Sequence, residues 1–260
     1  MASEKPAEPL AEGTLMSHLL ELRNRLMKAV IALLVVFIPC AYFANDLFTL
    51  IARPLIDKLP EGSTLLNTNV VGSFMTPFKV SFYVALFLAM PVVLYQIWAF
   101  VAPGLYRREK RFAVPLLASS VLLFYCGALF AYYVVFPVMF PFLIGTTPAG
   151  VTYAPDIASL LDFVLTMFFA FGVAFEMPVA VVLLVLTGMV KIEKLTANRG
   201  YVIIGIFVVA AFLTPPDAIS QTIMAVPMYI LYEGGVVMAR VMSKMRREAD
   251  AAEKEEAEAG

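Results

Sequence analysis

Between Asp162 and Lys191 stand 28 residues of which only Glu176 is charged. As one helix they would run about 42 Å at 1.5 Å per residue, against a hydrocarbon core of about 30 Å. Such a segment spans a bilayer if it tilts or protrudes. It is not alone: the chain is a series of long uncharged runs. Hydrophobic residues make up 61% of it and charged residues 15%, where soluble globular domains hold about 45–50% and about 25%. The expected fold class is an all-α integral membrane protein with six transmembrane helices.

Residues 1–14 are polar, contain Pro6 and Pro9, and are expected to be disordered. Residues 15–28 predict an amphipathic helix, with Leu15, Leu19, Leu22 and Leu26 on one face and Ser17, Glu21, Arg25 and Lys28 on another. It runs into a first span over about 27–44. That run starts after too long a polar lead for a cleaved signal peptide, so a retained span is expected. The connection 45–73 suggests short interfacial helices broken at Pro54 and Pro60. Further spans are expected at about 76–100, with Thr76-Pro77 as cap and first turn, and at 113–140, 157–189, 200–213 and 217–238. Residues 15–240 thus form one transmembrane domain, and 241–260 a charged tail, disordered from Glu248. No convincing internal repeat is present. Cys40 and Cys126 both lie in apolar runs, where thiols pack as small hydrophobes.

Orientation follows from the cations. Of 19 lysines and arginines, all but Arg53, Lys58 and Lys79 lie in the N-terminal segment, the loops after spans two and four, or the C-terminal tail. The positive-inside rule then puts both termini in the cytoplasm. Spans five and six look short or polar: Tyr201 to Leu213 is one unbroken apolar run, and span six carries Ser220, Gln221 and Thr222 near one end and Glu233 near the other. Shelter by neighbouring helices and a locally thinned bilayer both account for this. Pro91, Pro178 and Pro227 fall inside spans two, four and six and favour kinks; bent helices side by side would make a concave wall.

An enzyme is not expected. The single histidine, His18, flanks the first span, so no histidine base serves a nucleophile within the membrane. No zinc-protease or phosphate-loop pattern occurs, and no His/Cys ligand set calls for a metal or other cofactor. Three acids stand out. Glu21 reads either as an i,i+4 partner of Arg25 or as a binding group. Glu109 reads either as charge balance in the basic loop Arg107 to Arg111 or as a binding group. Glu176 lies in mid-membrane, where ionisation costs about 2.5–3.5 kcal/mol, and such a group is functional by default. Asp217, after Thr214-Pro215-Pro216, reads as an N-cap for span six.

Four segments resemble the TatC family: His18-Leu-Leu-Glu21-Leu-Arg23-Asn-Arg25-Leu26; Tyr95-Gln96-Ile-Trp98-Ala-Phe100 with Pro103, Tyr106 and Glu109; Ala170-Phe171-Gly172-Val-Ala-Phe175-Glu176-Met-Pro178; and Leu213-Thr214-Pro215-Pro216-Asp217 with Ser220-Gln221. The resemblance covers nearly the whole chain in order. It implies a core subunit of the twin-arginine protein translocase in the bacterial inner membrane. Such a subunit binds twin-arginine signal peptides and moves folded proteins with TatA- and TatB-type single-span partners, driven by the proton-motive force, and it self-associates within the complex. It further implies that Glu21 and Glu109 receive the arginine pair, with Arg23 and Phe100 beside them. Glu176 becomes a polar site on a concave face, Thr214 and Gln221 contacts for a partner helix, and Pro54, Tyr132 and Asp217 further functional positions. A proton-coupled transporter using Glu176, an intramembrane hydrolase and a purely structural assembly subunit stand as rivals. The first lacks the internal repeat usual in transporters, and the second lacks a base.

Overall fold

The computed structural model describes residues 10–56, 66, 68, 70–101, 110–145, 154–213 and 218–259. Helix α1 (Leu10–Tyr42) joins the amphipathic lead and the first span in one rod, and it begins inside the segment expected to be disordered. Helix α2 (Ala44–Ile56) passes through Pro54 instead of breaking there; a proline in the last turn forfeits only one bond near a helix end. Pro60 lies outside the described residues. Helix α3 (Val70–Val101) starts before Thr76-Pro77, so these residues are not its cap. Thr76 is buried, and its hydroxyl donates to the Gly72 carbonyl at 2.6 Å, the usual outlet for a threonine inside a helix.

The third span is longer than expected. It consists of α4 (Lys110–Phe130), a π-helical turn (Ala131–Val135) and α5 (Phe136–Gly145). The fourth span is one crossing, yet not one helix: α6 (Ile157–Phe175) ends and α7 (Met177–Leu186) begins at Glu176. Pro178 supplies the physical reason. It has no N–H to continue the ladder, and the Glu176 amide turns back to the Val173 carbonyl at 3.0 Å. Gly188, at φ 75°, ends the crossing in a left-handed turn that a side chain would strain. A short helix α8 (Ile192–Ala197), not foreseen, precedes α9 (Arg199–Leu213). Helix α10 (Ala218–Ala259) carries the last span and continues through the tail expected to be disordered, whose Ala, Glu and Lys residues are strong helix formers.

Among the described residues five rods are long and apolar enough to cross a bilayer: Met16–Tyr42, Phe74–Phe100, Val114–Gly145, Ile157–Leu186 and Gln221–Met245. The apolar α9 has 15 residues, about 22 Å of helix. The fourth span is the centre of the packing, since half of its most apolar stretch is buried against 6% for the first. Helix α4 lies on α6, α10 on α7, and α1 and α2 on α3. Phe136, Met139, Phe171, Val164, Met167 and Met224 form the main core, while Ile31, Leu34, Val35 and Ile38 of α1 point outward, as lipid-facing positions do. The α4–α6 approach depends on Gly127: a Cβ there would stand 2.3 Å from the Phe171 carbonyl oxygen. Small residues at such crossings let backbones meet closely, which is how helices associate in lipid.

Asp156 fastens the start of the fourth span. Its Oδ1 accepts from the amides of Ala158 and Ser159 at 3.0 and 3.1 Å, capping α6. Its Oδ2 accepts from the Thr68 amide at 2.9 Å and the Thr68 hydroxyl at 2.8 Å, next to a bridge in which Leu66 meets Asp156. The Thr68 bonds, followed by those of the cap, hold this carboxyl down at a pKa of about 2. A carboxyl lowered below its unfolded value of about 3.9 stabilises the fold above that value and stops doing so as pH falls through the folded one. The difference in thermal inactivation midpoint between wild type and Asp156→Asn is therefore expected at pH 6, shrinking from about pH 4 toward pH 2. A pH-independent difference would contradict this.

Candidate functional site

The N-terminal rod and the end of α3 meet through an aromatic pair. His18 stacks on Phe100 with ring centroids 4.5 Å apart and planes 23° apart. One helical turn beyond His18 stands Glu21. Its Oε1 accepts from Arg25 Nε at 2.9 Å and from the terminal nitrogen at 2.7 Å. The i,i+4 pairing is thus present. It leaves Oε2 without a donor among the described residues, and Arg23, on the same helix, is exposed. The structure thus brings Glu21, His18 and Phe100 to one place. Glu109 lies outside the described residues, as do Thr214 and Asp217.

The intramembrane carboxyl is not isolated. Glu176 sits at the α6–α7 break and is buried. Ser120 of α4, fully buried, donates from Oγ to Glu176 Oε2. Trp98, in the last turns of α3, donates from Nε1 to the same Ser120 Oγ at 2.7 Å. Glu176 Oε1 is buried with no hydrogen-bond partner among the described residues. Two other spans are therefore linked to this carboxyl, one through Ser120 directly and one through Trp98 by way of that serine.

The remaining expected positions lie apart. Tyr132 falls in the π-helical turn, stacked at 23° on Phe168. With Leu50, Ile51, Tyr83 and Phe87 the two line an apolar cavity of about 360 Å³. Pro54 lies on α2, and Gln221, half-buried, in the first turns of α10. Sequence reading missed several groups. Lys79 and Asp162 form an ion pair of 2.6 Å between α3 and α6. Arg199 reaches Glu233 with two nitrogens, at 2.5 and 2.9 Å, joined by the Tyr229 hydroxyl at 2.9 Å. That two-pronged fork ties the short α9 to α10. Asp156 was legible as an acid before an apolar run, a cap signal. Ser120 carried no signal, because one serine in an apolar stretch has no periodicity to mark it. Among the described residues no three of His, Cys, Asp and Glu come together as a metal site.

These elements define a polytopic α-helical membrane protein with a polar cluster built into its central span. The family model for the Sec-independent protein translocase protein TatC matches residues 17–227. The chain belongs to the TatC family. It is 56% identical over 222 residues to the Sec-independent protein translocase protein TatC of Azotobacter chroococcum mcd 1, covering 85% of this chain and 87% of that one. To the protein of the same name from Escherichia coli (strain K12) it is 54% identical over 226 residues, 87% and 88% of the two chains. A crystal structure of the twin-arginine translocase receptor TatC superposes with a TM-score of 0.77 at 37% identity, covering 87% of this chain and 99% of that one. Relatives named in this way are protein-transport components rather than enzymes.

Proposed function

We propose that the chain is the receptor subunit of a twin-arginine protein translocase in the bacterial inner membrane. It binds twin-arginine signal peptides at its cytoplasmic face and, with TatA- and TatB-type partners, moves folded proteins using the proton-motive force. The observation that supports this reading is the likeness in sequence and fold, over 87% of this chain, to the twin-arginine translocase receptor. Glu21 and Glu109 receive the arginine pair, flanked by Arg23 and Phe100. A guanidinium meets a carboxylate through a planar fork of donors that an ammonium cannot copy. Purified protein is therefore expected to bind a twin-arginine signal peptide and not its twin-lysine counterpart. Equal binding of both would sink the assignment.

Six spans with both termini in the cytoplasm follow from the placement of lysine and arginine. In this arrangement α9 counts as a span although it is short, its Arg199 held by Glu233 at the cytoplasmic end. Reporter fusions in the 104–112 and 190–199 loops and at both termini should read inside, and fusions near 60 and 150 outside. An outside reading at the C-terminus would break the six-span arrangement. At the opposite ends of α9 and α10, Thr214 and Gln221 offer hydrogen bonds to a partner helix, worth about 0.6 kcal/mol each on average.

A further inference from the structure

The Trp98–Ser120–Glu176 chain joins three elements that are distant in sequence. Trp98 lies two residues before Phe100 on α3, whose ring stacks on His18 of α1. Ser120 lies in α4, and Glu176 at the break between α6 and α7. Ser120 is fully buried. Its one hydroxyl proton is committed to Glu176 Oε2, and its oxygen is occupied by the Trp98 indole N–H. Serine has one donor and two acceptor positions, so this hydroxyl can serve both neighbours only in one orientation. The indole N–H has no acceptor capacity and cannot be reversed. The direction of the chain is therefore set from Trp98 toward the carboxyl. One carboxyl oxygen is held, and Oε1 is left buried and, among the described residues, without a partner, an acceptor that a donor brought by another molecule would satisfy.

We propose that Trp98 and Ser120 are positioning residues for Glu176: they hold the carboxyl with Oε1 presented, and they connect it to the end of α3 that carries Phe100. This rests on the reading of Glu176 as a polar contact site in transport. A lone buried carboxyl at a helix break would be free to rotate about its side-chain torsions. A carboxyl held by a serine that is itself fixed by the indole of a third span is preorganised, which lowers the cost of receiving a donor.

The chain has a single tryptophan, Trp98, so emission of the purified protein reports on this chain of bonds without interference. Ser120→Ala removes the acceptor of the indole N–H and is expected to shift the emission maximum to shorter wavelength. Glu176→Leu, which only frees the serine hydroxyl to turn, should shift it less. The double variant should match Ser120→Ala alone, because without the serine the indole no longer senses position 176. Glu233→Gln is the control and should leave emission unchanged. In transport, Ser120→Ala should lose about three- to tenfold, the range expected for one hydrogen bond, and Trp98→Phe should follow it. Wild-type emission from both Ser120→Ala and Glu176→Leu would overturn the chain of bonds, whatever transport does. Shifted emission with undiminished transport in Ser120→Ala would overturn the positioning role. Undiminished transport in Glu176→Leu would instead remove the function assigned to Glu176, an outcome separable from the other two because emission is read on the protein alone.

Discussion

Glu109→Gln and Glu21→Gln are each expected to weaken binding of a twin-arginine signal peptide by roughly ten- to a hundredfold, and the double variant to abolish it. A hydrogen bond to a charged partner is worth about 1.5–3 kcal/mol, and each 1.4 kcal/mol is tenfold in affinity. Glutamine keeps the shape and loses the charge, so the loss reports on charge assistance. The geometry at Glu21 separates binding from folding. Its Oε1 is taken by Arg25 of the same helix, and its Oε2 is not taken by any of the described residues. Breaking an i,i+4 pair costs a helix only about 0.3–0.5 kcal/mol. Glu21→Gln should therefore remain folded in the membrane while binding falls. Affinity should also drop as salt rises, since charges near the water interface are screened. Titration of the peptide against wild type, both single variants and the double variant decides it. Unchanged affinity in all three would remove the receptor assignment and leave the membrane-helix architecture standing.

Glu176→Leu is expected to abolish transport, while Glu176→Gln retains most of it. Leucine offers no acceptor, so the Ser120 hydroxyl proton loses its partner, at a cost of up to about 1–3 kcal/mol if it finds no other. It also removes the one polar group that the fourth span presents at its break. Glutamine can still accept from Ser120 through its carbonyl and present a donor or acceptor beyond it. The break itself should survive both substitutions, because it follows from Pro178, which is unchanged. Transport of a folded cargo into inverted vesicles, with membrane levels of the protein checked alongside, reads the outcome. If glutamine is as inactive as leucine, polar contact is not the role, and proton transfer through Glu176 becomes the reading to pursue.

The two carboxylate sites differ in how far they could be read from sequence. Glu21 could be placed because helical spacing puts it one turn from Arg25, and local spacing is all that such a pair needs. The proposed orientation, with both termini in the cytoplasm, rests on the same kind of local information, the clustering of lysine and arginine between apolar runs. Glu176 could be singled out because a charge in a long apolar run is costly wherever the run packs. Its partners could not. Ser120 and Trp98 lie 56 and 78 positions away, and nothing in either neighbourhood marks them as facing the same point.

Caps and ends were read less well for a related reason. Thr76-Pro77 has the composition of a helix start, yet α3 begins at Val70, because the Thr76 hydroxyl finds an acceptor in the Gly72 carbonyl of its own helix and a membrane helix tolerates a proline. The Ala/Glu-rich tail has the composition of disorder and the propensity of helix, and propagation from the span before it favours helix once nucleation is already complete.

By itself, then, the sequence determined that the chain is helical and lies in a bilayer, roughly where its spans fall, and which acids are costly enough to need a purpose. Those are consequences of hydrophobicity and of spacing along one helix, and both are local. Only the tertiary structure decided that the fourth span divides at Glu176, that Gly127 lets α4 and α6 touch, that Arg199 is locked to Glu233, and that a serine, itself bonded by an indole from another span, holds the central carboxyl. Each of these depends on which faces of distant helices meet, and in lipid that is settled by close packing and interhelical hydrogen bonds rather than by hydrophobicity, so no pattern along the chain announces it.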